Sequence, residues 1–143
     1  MALAVGWFPP VSPYGLIQES LWPNEWLILI VCVLLNCTAR KQVDRVLPNL
    51  IVRWPDARSM ANAHCGELSA VIASLGFGNR RADTLIQLSK DYLGSGWSDA
   101  RELSGVGEYA GRAWDIFCRG VLGDSPPQDH ALVEYWEWIT HAK

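Results

Sequence analysis

Residues 103–110 read Leu103-Ser104-Gly105-Val106-Gly107-Glu108-Tyr109-Ala110, and the fold turns on this stretch. A helical segment ends at Leu103, a Gly-Val-Gly turn follows, and a second helical segment starts at Glu108. Two glycines around one valine let the backbone reverse tightly and let another molecule come close to it. The amides that open the next helix lack intrahelical acceptors and point outward, and the helix dipole adds about half a positive charge there. That combination suits a phosphate. Taken by itself, the turn is equally an ordinary helix–helix connection with a glycine C-cap.

Outward from the turn, helical signals run in both directions. Asn24 can cap an apolar helix from Glu25 to about Asn36. Val43, Val46, Leu47, Leu50 and Ile51 predict a helix over Arg40–Arg53, with a kink or break at Pro48. Pro55-Asp56 restarts a short helix. Further helices are expected over Cys65–Leu75, ended by Gly76, and over Asn79–Leu93, stopped by Gly94-Ser95-Gly96. Ser98 is the expected cap of a short helix ending at Leu103. Glu108 to about Gly120 and Asp129–Ile139 complete the series. No stretch alternates at period two for long. The reading is all-α, about eight helices joined by short turns. Without a repeat, a low-complexity tract or a linker, residues 1–143 read as a single domain. Residues 1–14, rich in proline and aromatics, read as an extended arm on its body.

Half of the 143 residues are hydrophobic and eight are tryptophan, enough to bury a sizeable core. The net charge of −3 is unusual for a nucleic-acid binder, so any such binding must rest on local features. Arg80-Arg81 and the cluster Arg40, Lys41, Arg45 can supply basic patches, or can be solvated helix faces. The four cysteines, Cys32, Cys37, Cys65 and Cys118, are scattered, which points to reduced thiols and an intracellular protein. The apolar run Trp26–Leu35 is too short to span a bilayer, and no signal peptide is read at the N-terminus.

The turn at 103–110 resembles the helix-hairpin-helix motif L-x-G-[VI]-G of the endonuclease III superfamily of DNA glycosylases. In that superfamily a catalytic aspartate follows the hairpin by about twenty residues, and Asp129, in Pro126-Pro127-Gln128-Asp129-His130, occupies that place. Within the superfamily the chain looks like the glycosylase domain of the methyl-CpG-binding mismatch thymine glycosylases. Trp7–Leu21, Trp26–Lys41, Ser74-Leu75-Gly76-Phe77, Arg81-Ala82 and Ile116-Phe117-Cys118 match that pattern in order. The implied fold is the all-α helix-hairpin-helix DNA glycosylase fold, about eight helices around a cleft.

The resemblance implies roles residue by residue. Gly105, Val106 and Gly107 would hold a DNA phosphate. Asp129 would be the catalytic carboxylate, stabilising positive charge on the sugar as the glycosidic bond breaks. It is also a good N-cap, a compatible role. Bifunctional relatives carry a lysine where Tyr109 stands, so a monofunctional enzyme without Schiff-base lyase chemistry is expected. Tyr109 and Gln18 would line the base pocket, the amide suiting a uracil-like edge. The duplex wedge departs from the pattern. Cys37 stands where the family has arginine, Phe77 where it has leucine, and Arg40 is the candidate to reach in instead. No iron-sulfur cluster is expected, because no cysteine follows Cys118, and the three histidines make no zinc spacing. Family analogy leaves room for a monovalent cation on hairpin carbonyls.

The expected activity is hydrolysis of the N-glycosidic bond of a flipped uracil, thymine or 5-substituted uracil, opposite guanine, in base excision repair. The expected partner is double-stranded DNA carrying that base, the chain acting as a monomer away from membranes. Two alternatives stay open: an adenine-mispair glycosylase, and a helix-hairpin-helix DNA-binding module without catalysis. A helical protein-interaction domain is a third, weaker reading.

Overall fold

The most apolar run of the sequence becomes the centre of the molecule. In the computed structural model, which describes residues 6–36, 38–76 and 78–141, this run is helix α2 (Glu25–Leu35), after α1 (Ile17–Leu21). Trp26 to Cys32 and Leu34 are all buried, so this helix is apolar around most of its circumference. It contacts α1, α3 (Arg40–Arg53), α6 (Gly78–Leu93) and α7 (Glu108–Trp114). Asn24 caps it, its side chain accepting from Leu27 N at 3.1 Å. The short α4 (Ala57–Ala61) and α5 (Cys65–Ile72) pack on α6, and α8 (His130–His141) closes the described chain. Among the described residues there is no β-strand.

Several element details differ from the sequence expectation. Helix α3 runs unbroken through Pro48. The carbonyl that proline leaves unpaired belongs to Asp44, on the exposed face, where water can replace the lost bond. The segment from Cys65 tightens into a 3₁₀ turn at Ala73–Leu75 before Gly76 (φ +82°) ends it. Asp99, not Ser98, caps a 3₁₀ turn over Ala100–Glu102, accepting from Arg101 N at 2.9 Å. Ser98 instead donates to the Glu102 carboxylate from both its amide and its hydroxyl, each at 3.3 Å. Helix α7 widens into a π-helical segment, Asp115–Arg119, that stops at Gly120 in left-handed backbone (φ +68°). A Cβ at Gly120 would sit 2.8 Å from the Trp7 ring, so glycine there also lets the arm close on the body.

From Trp7 onward the arm is tied to the body. Trp7 Nε1 donates to Phe117 O at 3.2 Å, and Tyr135 Oη to Pro10 O at 2.6 Å. Glu19 gathers the amides of Ser12 and Leu16 and the Ser12 hydroxyl, at 2.7, 2.8 and 2.7 Å. Arg40 Nη1 donates to Gly15 O at 2.6 Å. These bonds place Tyr14 and Leu16 on the wall of a cleft.

Candidate active site

The hairpin edge is built from three anchors. Val106 is buried and fixes the tip to the core. Asp91, from α6, accepts from the Ser104 amide at 2.9 Å and hydroxyl at 2.8 Å. Burial opposes its charge, but the bonds from Gln87 and Ser104 outweigh that and hold its carboxyl below the usual carboxylate range. Arg101 reaches Asp115 at 3.0 Å, and Asp99 and Glu108 at 3.3 Å, bracing both ends of the turn. Burial disfavours that guanidinium's charge, yet the carboxylates around it raise its pKa above the ordinary value. Gly105 has φ +80°, and a Cβ there would meet Thr84 Cγ2 at 2.4 Å. Gly107 is the N-cap of α7 and supplies no side-chain acceptor, which leaves the opening amides of that helix uncapped by it.

Helix α7 also presents Tyr109 to the cleft. Gln18, on α1, is 1% exposed, not the surface residue a five-residue helix would suggest. Its Nε2 donates to Tyr109 Oη at 2.8 Å and lies 3.4 Å from Cys32 Sγ on α2. Burial pushes the Cys32 thiol up to about 12, against the hydrogen bonds of Gln18 and Tyr109. Burial, and then the ionisable neighbours Cys32 and Asp129, raise the Tyr109 phenol well above its ordinary value. At neutral pH this floor of amide, thiol and phenol is uncharged.

Asp129 stands at the rim. It is exposed, and it lines a cleft of about 290 Å³ together with Gln18, Tyr109, Thr38 and Arg40. A second cleft of about 280 Å³ lies between α7 and the segment 125–129, and Tyr109 and Asp129 line this one as well. The two clefts thus meet at the Tyr109–Asp129 pair. Asp129 Oδ2 accepts from Leu132 N at 3.0 Å, and its carbonyl from Val133 N at 2.8 Å, so it caps α8. The start of α8 places positive helix-end potential at that point.

Of the residues singled out from sequence, the structure brings Gln18, Tyr109, Asp129 and Arg40 to one cleft and sets the hairpin glycines beside it. Arg40 is exposed and engaged with Gly15 O and with Asp44 at 3.2 Å. Cys37 and Phe77 lie outside the described residues. Arg81 turns away from the role of a solvated basic patch: its guanidinium donates to Leu34 O at 3.0 Å and Asn36 O at 2.9 Å, closing the end of α2. Sequence reasoning missed Cys32 and Thr38, whose Oγ1 is buried without a partner, among the described residues, on the cleft wall. It also missed Asp91 and Arg101. Their signal was present only as charge on either side of a Gly-x-Gly turn. Among the described residues no three His, Cys, Asp or Glu side chains converge to hold a metal, and no helix is long and apolar enough to cross a membrane.

Comparison with known proteins identifies the family and the fold. A family model described as HhH-GPD superfamily base excision DNA repair protein matches residues 30–138. A methyl-CpG-binding domain protein 4-like protein of Arabidopsis thaliana is 36% identical over 133 residues, covering 93% of this chain and 30% of that protein. A thymine-DNA glycosylase of Aeropyrum pernix is 33% identical over 136 residues, covering 88% of this chain and 60% of that protein. Among solved structures, a thermostable thymine-DNA glycosylase superposes with a TM-score of 0.63 at 22% identity, over 76% of this chain and 51% of that one. An endonuclease III trapped as a covalent intermediate with DNA gives 0.64 at 20% identity, over 80% and 60%. At such identities the two structures speak for the fold. The chain spans less than two thirds of the length of each of these relatives.

Proposed function

The chain belongs to the HhH-GPD superfamily of base excision DNA repair proteins, and on that premise we propose that it is a monofunctional DNA glycosylase. Its substrate is a flipped uracil, thymine or 5-substituted uracil in duplex DNA, opposite guanine. One observation carries the reading: Gln18, Tyr109 and Asp129 converge on a single cleft beside the hairpin, with Gln18 Nε2 fixed on Tyr109 at 2.8 Å.

The chemistry follows from that arrangement. Extruding a base costs a few kcal/mol of stacking and pairing, least for a mismatch. Phosphate contacts at the Gly105-Val106-Gly107 turn offset part of this cost. With its nitrogen engaged, the Gln18 amide has its oxygen to offer, an acceptor for the N–H edge of a uracil-like base. As the base departs with the bonding electrons, the sugar takes on oxocarbenium character. Asp129 stabilises that charge and orients the water whose oxygen bonds to the sugar carbon, or attacks that carbon itself. Tyr109 has no amine, so no Schiff base forms and the strand stays intact after base release. Thr38 Oγ1, buried and without a partner among the described residues, is a further polar group on the cleft wall.

The test is strand cleavage of labelled duplexes carrying G·U, G·T, G·5-hydroxymethyluracil or A·8-oxoguanine, each read with and without alkali. Cleavage of a G·pyrimidine duplex only after alkali is the expected result. Binding should weaken as salt rises, since a phosphate-led contact releases counterions. Release only from A·8-oxoguanine would make the chain an adenine-mispair glycosylase. Salt-dependent binding with no release from any duplex would make it a DNA-binding module.

A further inference from the structure

The segment that delivers Asp129 to the cleft has no regular secondary structure from Gly120 to Gln128. It makes no ladder bonds of its own, so something else must set where it ends. We infer that Arg112 is a positioning residue, one that fixes Asp129 against Tyr109 by clamping this segment to α7; the inference rests on the glycosylase reading above.

Arg112 lies one turn after Tyr109 on the same helix and therefore on the same side of it. Its Nη2 donates to Leu122 O at 3.0 Å and also to Ser125 O. The Leu122 carbonyl takes a second bond, from Trp136 Nε1 on α8 at 2.7 Å, so it joins the two helices that flank the site. Gly123 lies between the two clamped carbonyls with φ +79°, and a Cβ there would sit 2.8 Å from Arg112 Nη2. The backbone thus folds down onto the guanidinium. After Ser125, Pro126 and Pro127 carry the chain to Gln128 and Asp129 with restricted φ, so a displacement at Ser125 passes on to the carboxylate. A planar guanidinium can present its N–H groups to two carbonyls at once, whereas an ammonium holds them less rigidly. The helix that supplies Tyr109 thereby also sets the placement of Asp129.

The test compares the wild-type chain with R112M and R112K in three readouts: single-turnover excision at saturating enzyme, affinity for a duplex with an abasic-site analogue, and amide hydrogen exchange. A displacement of about 1 Å at a reacting group can cost on the order of 100-fold in rate, the loss expected for R112M. Duplex affinity should hold, exchange should rise across 121–129 but not in α2, and R112K should recover part of the rate. Wild-type excision by R112M would overturn the inference. So would rate, affinity and global exchange failing together, the mark of a merely structural residue. If R112M does not fold, R112K decides: slowed excision with affinity intact supports the clamp, and a wild-type rate refutes it. If the wild-type chain excises nothing, the glycosylase reading fails, while exchange across 121–129 still reports whether Arg112 holds the segment.

Discussion

Gln18 and Asp129 line the same cleft, yet Gln18 is 1% exposed at its floor and Asp129 stands exposed at its rim. The floor is assembled from α1, α2 and α7 through amide, thiol and phenol, and burial keeps it neutral. There the loss of a bond is costly, because a buried polar group left unmet costs about 1–3 kcal/mol. The rim is the end of an irregular segment, held through its backbone carbonyls by Arg112 and by the first turn of α8. In the function proposed above, selection of a base falls to the buried floor, and the charge that would drive bond cleavage falls to the exposed rim.

The sharpest way to break the floor is Q18A. It removes the proposed acceptor for the base and strips Tyr109 of its donor. Single-turnover excision should fall by about 100-fold, as when one preorganised polar contact to the reacting fragment is lost. Duplex binding, carried by the hairpin, should change little.

Acid should separate the hairpin edge from the floor. The hairpin edge depends on Asp91, whose folded pKa lies below its ordinary value. Its contribution is therefore complete above the unfolded carboxylate value of about 3.9, and is lost as pH falls through the lower folded value. Exposure of the hairpin amides to exchange should rise in that window, ahead of the floor, which has no carboxylate. D91N should lower stability at pH 7 by about 1 kcal/mol and flatten this acid dependence, read by denaturant midpoints.

The smallest effect sharpens the floor alone. Cys32 is fully buried and its thiol is pushed up to about 12, while Cys65 is part-exposed on α5. Alkylation of the native protein at pH 8 should leave Cys32 unlabelled while Cys65 reacts slowly, as peptide mass spectrometry would show.

Much of the frame was legible in the residues. The apolar run at Trp26–Leu35, the cap at Asn24, the helix restart at Pro55-Asp56 and the stop at Gly76 are local signals, and local physics realises them. The site was legible only where a motif spans few residues, as at the hairpin. The burial of Gln18 was not, since its partner Tyr109 lies 91 positions away and α1 has one turn to declare a face. Arg81 and Arg112 bond to backbone carbonyls, and any sequence supplies those. The π-helical widening at Asp115–Arg119 follows no periodicity that side-chain pattern records. Pro48 shows the reverse case, a strong local breaker overridden because the bond it removes faces water.

The division of labour between floor and rim is tested most directly by D129N in single-turnover excision, beside its affinity for the same duplex. Asparagine keeps the cap of α8, so folding should hold within a few tenths of a kcal/mol. The account predicts a loss of about 1,000-fold in excision with affinity unchanged. Excision by D129N at the wild-type rate would contradict it, and would move the chemistry away from the rim.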